Sequence, residues 1–318
     1  MSRLSIVLLL SCAAAAVSIY AWFQHDLAKA RGRAASLSQV IETASGPMEF
    51  ARFGSGAPLL VVHGAAGGWD QSFIMAQGLG ASHYSVIAPS RFGYLRSPMV
   101  PGLTPAMQAD AYAALLDRLG IGKVAVAAIS AGAWSALEFA ARHPDRCRAL
   151  VLLVPAQERP PGMHNHGGAI ARAMLSSDFA AWALLKLRPA LGGALDRIVL
   201  GTDAAVIQAA SSGERDRVRI ILEGLLPLSA RFDGMEFDIE TAASPRPLAL
   251  DQIRCPVLAI SAQDDAFGTA ERARQIATGV KDGRVVVYPT GGHALAGRYL
   301  DAVERIDAFL TQTGASAE

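Results

Sequence analysis

Ser130 sits where two patterns meet: the apolar run KVAVAAIS (123–130) ends on it, and a helical stretch follows from Ala133. A hydroxyl carried on so sharp a strand-to-helix turn needs small residues two before and two after it, because larger side chains collide with neighbouring backbone. Here these are Ala128 and Gly132. The helix start also supplies free N–H groups and the positive end of a dipole to developing negative charge. A serine that merely caps a helix gives the same local pattern, so nucleophilic chemistry requires a base and an acid elsewhere. His293 follows the last apolar run, GRVVVYP (283–289), and Gly291-Gly292 leave space around its ring. An imidazole so placed can take a hydroxyl proton. For the acid, the run CPVLAIS (255–261) leads into Ala262-Gln263-Asp264-Asp265, two adjacent carboxylates of which only one can face the imidazole.

A second glycine-rich segment, His63-Gly64-Ala65-Ala66-Gly67-Gly68, comes directly after the run PLLVVHG (58–64). Its glycines lack the G-x-G-x-x-G spacing of a dinucleotide site, and neither a phosphate loop nor a cluster of His, Cys and carboxylate ligands is present. No cofactor and no metal are therefore expected. His63 reads as a residue that bonds the loop. His25, His83, His143, His164 and His166 do not follow a strand in the place a base would need. The three cysteines, Cys12, Cys147 and Cys255, are far apart within or beside apolar runs, which suits small buried side chains better than bridges. With 29 Lys and Arg against 28 Asp and Glu, the chain lacks the concentrated basic charge of a nucleic-acid binder.

These residues must be positioned by a sheet. Besides the runs already named, YSVIAPS (84–90) and CRALVLLV (147–154) are nearly continuous in apolar residues, as strands buried on both faces must be. QVIETAS (39–45) and MEFARFG (48–54) flank Gly46-Pro47 as an antiparallel opening pair. Helical spacing marks 104–119, 132–142, 269–279 and 297–311, the first opened by Thr104 as cap and Pro105 in the first turn. Strands alternating with helices imply a mostly parallel sheet flanked by helices. Between Val154 and Cys255 the alternation stops. That interval carries helical spacing at 168–192 and 215–229, bracketed by Pro- and Gly-rich stretches at 159–168 and 242–248, and reads as a helical cap over the site. Its Ala, Leu and Met residues, with Trp182, are expected to set specificity for a small, mostly apolar acyl substrate.

From Leu4 to Phe23 the chain carries no charge, for about the 20 residues that a helix needs to cross a bilayer. Tyr20 and Trp22 stand at its far end, and Lys29, Arg31 and Arg33 follow. We read residues 1–23 as a single-pass membrane anchor, with a cleaved signal that leaves a secreted or periplasmic enzyme as the alternative. The expected domains are then the anchor (1–23), a linker (24–37), the first part of the core (38–157), the cap (158–250) and the second part of the core (251–318).

From about residue 47 to 312 the chain resembles the α/β-hydrolase superfamily, whose elbow reads G-x-S-x-G. Ala128 replaces the first glycine, and the order Ser, acid, His is the superfamily's. The resemblance implies Ser130 as nucleophile and His293 as base, with the N–H groups of Ala65 and Ala131 as oxyanion hole. Aligning Ser261 with the glycine of the family's G-x-x-D loop selects Asp264 as the acid and leaves Asp265 to brace the loop; Glu158 is a minor alternative. The segment Ala88 to Tyr94, followed by Arg96 and Ser97, looks like the family's D-x-x-G-x-G-x-S loop, with Ser90 where an aspartate is common, and serves as support. The implied reaction is hydrolysis of a carboxylic ester or thioester. Carbon–carbon bond hydrolysis of the meta-cleavage type is the alternative, although such enzymes carry Asn and Trp where this chain has Ile129 and Ala294. A non-catalytic, membrane-tethered binding protein on the same fold is the rival from another class.

Overall fold

The computed structural model of the protein describes residues 2–79, 83–156, 172–173, 175–191, 193–244, 247 and 249–315. Eight strands form one sheet: β1 (Ser38–Thr43), β2 (Gly46–Phe53), β3 (Ala57–Val62), β4 (Tyr84–Pro89), β5 (Val124–Ile129), β6 (Cys147–Leu153), β7 (Val257–Ala262) and β8 (Gly283–Tyr288). Their order is β1-β2-β4-β3-β5-β6-β7-β8. The first two pairings, β1 with β2 and β2 with β4, are antiparallel, and all others are parallel. Each expected strand is found within a few residues. The central strands carry Leu59, Val61, Val126, Ala127 and Val151 at full burial, which is why their sequences are apolar on both faces.

The described helices are α1 (Arg3–Ala35), α2 (Trp69–Ala76), α3 (Pro105–Arg118), α4 (Gly132–Arg142), α5 (Asp178–Leu187), α6 (Ala194–Leu200), α7 (Ala204–Ala209), α8 (Ser212–Glu223), α9 (Phe232–Ala243), α10 (Thr269–Gly279) and α11 (Tyr299–Gln312). The Thr104 hydroxyl accepts the Met107 N–H at the start of α3, with Pro105 in its first turn. Helices α5 to α9 fall between β6 and β7 and form the cap. The Pro- and Gly-rich stretch at 159–168 and the minor acid candidate Glu158 lie outside the described residues.

Two parts of the sequence reading change. Helix α2 shows no long periodic stretch and was not expected; eight residues give too few repeats to reveal a face. The second change concerns the linker expected at 24–37, which is helical to Ala35 as a direct continuation of the apolar segment. At about 1.5 Å per residue the whole of α1 is about 50 Å long. Leu4, Val7, Leu8 and Leu10 in its first half are exposed, whereas Phe23, Leu27, Ala30 and Ala34 form a buried stripe at helical spacing. That stripe packs on the cap. Phe23 meets the Phe179 ring edge-on at 5.2 Å, Trp182 Nε1 donates to Asp26 at 3.0 Å, and Lys186 pairs with Asp26 at 2.8 Å. Trp69 Nε1 donates to the Ala34 carbonyl at 2.9 Å. The polar and charged residues that resemble a linker in composition are the ones that bind the helix to the domain.

Candidate active site

The site forms at the carboxyl ends of the parallel strands. At the end of β5, Ser130 adopts φ of 50°, a left-handed conformation that costs a non-glycine residue of order 1–3 kcal/mol. Its backbone is tied on both sides to hold that turn: its N–H donates to Leu153 O at 3.0 Å, and its carbonyl accepts from Ala133 at 3.0 Å and Ala156 at 3.1 Å. Gly132 is required by contact, since a Cβ there would stand 2.5 Å from His63 O. Ala128, by contrast, fits fully buried between Val62 of β3 and Leu152 of β6, which explains why the first elbow glycine is dispensable.

After β8, the loop places His293 Nε2 3.0 Å from Ser130 Oγ. Its Nδ1 lies 2.8 Å from Asp265 Oδ2. Here the structure corrects the choice of Asp264. The turn after β7 is closed by Asp265 N–H to Ala262 O at 3.3 Å, and this turn directs the side chain of Asp265 inward. The Asp265 carboxylate has no exposed surface, accepts Phe267 N–H at 2.8 Å and receives the Thr269 hydroxyl. Asp264 points instead at the backbone of the histidine loop, accepting Gly292 N–H at 2.8 Å and Gly291 N–H at 3.2 Å. The two aspartates divide the work that was expected of one: Asp265 holds the ring and Asp264 holds the loop that carries it.

On the other side of Ser130 lies the loop after β3. A Cβ on Gly64 would be 3.0 Å from Ser130 Cβ, so this loop abuts the hydroxyl-bearing residue closely. Ala65 and Ser130 line the same cavity. Among the described residues, neither the Ala65 nor the Ala131 N–H donates to a protein acceptor. His63 is fully buried. Its Nδ1 is 2.7 Å from Gly64 O and its Nε2 accepts Arg91 N–H at 2.9 Å, which fixes the neutral tautomer with the proton on Nδ1. Burial and the Arg91 charge push its pKa well below the usual histidine range. The Ser90-to-Ser97 segment supports the site through Glu49, which accepts the Ser90 hydroxyl at 2.8 Å.

Sequence reasoning missed the residues through which the cap grips this floor. Arg91 and Asp238 of α9 form a buried two-pronged pair, both contacts 2.7 Å, and Tyr94 Oη donates to the same carboxylate at 2.5 Å. Arg231 pairs with Asp70 at 2.6 Å and donates to Gly67 O at 2.5 Å, which pins the loop beside Ser130. Between α6 and α7, Gly201 O accepts the N–H groups of Ala266 at 3.0 Å and His293 at 3.3 Å, and Thr202 Oγ1 accepts Ala294 N–H at 2.9 Å. A charged pair between residues more than a hundred positions apart leaves no local signature.

Floor and cap enclose a cavity of about 560 Å³, walled mainly by aliphatic side chains such as Ile74, Leu184, Leu195, Ile198 and Met235. Trp182, expected to shape it, is instead packed against Trp22 and Phe23 of α1, because its indole N–H finds Asp26 there. Among the described residues no cluster of three His, Cys, Asp or Glu side chains suits a metal ion.

Known proteins share this plan. Residues 57–192 match the family model described as alpha/beta hydrolase fold. A 2-hydroxy-6-oxo-6-phenylhexa-2,4-dienoate hydrolase of Burkholderia cepacia is 26% identical over 265 residues, covering 80% of this chain and 87% of that protein. An alpha/beta hydrolase fold protein from Nakamurella multipartita superposes with a TM-score of 0.69 at 28% identity, over 88% of this chain and 99% of that one. A structure described as a membrane phospholipase A matches with a TM-score of 0.64 at 20% identity, over 98% of both chains. Sheet order, elbow, inserted cap and these matches lead to one assignment: the chain has the α/β-hydrolase fold.

Proposed function

We propose that the protein is a membrane-anchored serine hydrolase that cleaves carboxylic esters or thioesters of mostly apolar acids. The observation that carries this reading is the connected line from Ser130 Oγ through His293 to Asp265, at 3.0 and 2.8 Å. In the reaction, His293 Nε2 takes the Ser130 proton as the oxygen attacks the acyl carbon. The N–H groups of Ala65 and Ala131 receive the oxyanion, a contribution for which loss of one donor elsewhere costs about 100- to 1000-fold. The leaving alcohol or thiol then departs with the proton from His293, and water, deprotonated by the same imidazole, releases the acid from the acyl enzyme.

The aliphatic cavity favours an apolar acyl part. Anchoring by α1 is supported by its length and apolar composition, and by the match to the membrane phospholipase, whose 98% coverage takes in this helix. Retention of the helix is favoured by the burial of Phe23 and Leu27 against the cap. Carbon–carbon bond hydrolysis has the Burkholderia relative in its favour, but Ile129 and Ala294 stand where such enzymes carry Asn and Trp.

The test is covalent labelling with a fluorophosphonate together with hydrolysis of short p-nitrophenyl esters. Labelling maps to Ser130, and Ser130→Ala abolishes both signals. Full turnover by the alanine variant would overturn the proposal, and labelling of Ser130 without any ester turnover would favour the carbon–carbon reading.

A further inference from the structure

One charged side chain on the cavity wall has no counterpart in the chemistry above. Arg217 of α8 lines the cavity beside the loop of His293. Its Nη2 donates to Ala294 O at 2.6 Å, and its guanidinium stacks on the Tyr299 ring at 3.9 Å. Both partners are neutral. Its Nε is buried without a hydrogen-bond partner. Glu214, on the same helix, acts on Arg217 through its charge, but it gives Oε1 to the Tyr299 N–H at 3.1 Å and makes no direct ion pair with the guanidinium among the described residues.

The other arginines around the site differ. Arg91 is matched by Asp238 and Arg231 by Asp70, each through two guanidinium nitrogens. A guanidinium keeps its charge across neutral pH, and a largely desolvated charge with no opposite one in direct contact is costly. A strut between the cap and the histidine loop needs only a donor to a carbonyl, which a neutral amide also provides. Among the described residues no carboxylate bonds the guanidinium directly, so its charge is open to direct pairing with an anion from the cavity.

We propose that Arg217 is the binding site for an oxyanion on the substrate, so that the cavity takes amphiphiles with an apolar body and one ionised carboxylate or phosphate. Bidentate recognition of such groups is what the planar guanidinium does best. The inference rests on the proposed hydrolase reading only in using the same cavity, and binding can be read without turnover.

The experiment is calorimetric titration of the full chain in a non-ionic detergent with hexanoate, hexyl phosphate and hexanamide. It is run on the natural sequence, on Ser130→Ala and on Arg217→Gln. We expect at least one anion to bind about tenfold or more tightly than the amide, a margin that corresponds to one good charge-assisted contact. The better anion distinguishes a carboxylate-bearing from a phosphate-bearing substrate. Ser130→Ala keeps the preference even if Ser130 proves not to be the nucleophile, whereas Arg217→Gln reduces it to less than about threefold while binding the amide as before. Equal binding of anion and amide by the natural sequence overturns the proposal, as does an anion preference that survives in Arg217→Gln. Should the glutamine variant fail to fold, Arg217→Lys decides: it keeps the charge but loses the fork, so the preference falls at least threefold, and an unchanged preference contradicts the assignment.

Discussion

The floor and the roof of the cavity are built by different physical means. The floor is strand ends: Ser130, Asp265 and His293 each leave the sheet within a few residues of a strand, and the sheet register sets their spacing. The roof is a set of short helices tied to that floor by polar contacts at single points, namely Arg231 to Asp70, Asp238 to Arg91, and the Gly201-Thr202 turn to the loops of Asp265 and His293. A sheet edge fixes geometry through many equivalent bonds. The roof depends on a few irreplaceable ones, so it can be loosened by one substitution where the floor resists.

The largest effect on the roof is expected from Asp238→Asn. It leaves the Arg91 guanidinium without its carboxylate in a buried site, where breaking one partner of a buried pair costs about 3–5 kcal/mol. Chemical denaturation should report that loss, and a change within about 0.5 kcal/mol would show that the cap is held by its apolar packing instead.

Acid should act on the floor through His63. Its folded pKa is depressed, so the unfolded chain takes up a proton that the folded chain refuses. The stability from this group is complete above the ordinary histidine value and is lost as pH falls from about 6.5, at up to about 1.4 kcal/mol per pH unit. His63→Gln can still accept the Arg91 N–H without titrating. Its stability should therefore fall less steeply between pH 6.5 and 5 than that of the natural sequence, and identical slopes would remove His63 from the account.

The smallest effect is that of Thr202→Val, which keeps the side-chain shape but removes the acceptor of the Ala294 N–H, a change worth about 1 kcal/mol. Because this bond joins roof to floor next to His293, we expect kcat to fall about fivefold with KM nearly constant. A change in KM alone would place Thr202 in substrate binding rather than in alignment of the base.

The same contrast governs what could be read from the sequence. Strands β3, β5, β6 and β7 are apolar runs whose burial on both faces dictates composition, β8 is an apolar run on the half-exposed edge of the sheet, and Ser130 and His293 were legible because they follow such runs. The carboxylate that meets the imidazole was legible only as a pair. Motif spacing favoured Asp264, while the closing of the turn by Asp265 N–H on Ala262 O, which directs the next carboxylate to the imidazole, has no signature in residue types. Thr202, Arg217, Arg231 and Asp238 act across the fold from a helical insert, and nothing local distinguishes them from ordinary polar residues on helices. The continuation of α1 past Phe23 was hidden because charged residues read as a linker when their partners on the cap are unknown.

The central claim is the line of Ser130, His293 and Asp265, and the two neighbouring aspartates test it most directly. Measured side by side on one p-nitrophenyl ester, Asp265→Asn should lower kcat about 10,000-fold by favouring the wrong imidazole tautomer. Asp264→Asn, which still offers an acceptor to the glycine N–H groups, should lower it no more than about tenfold. The opposite order, or equal losses, would contradict the account.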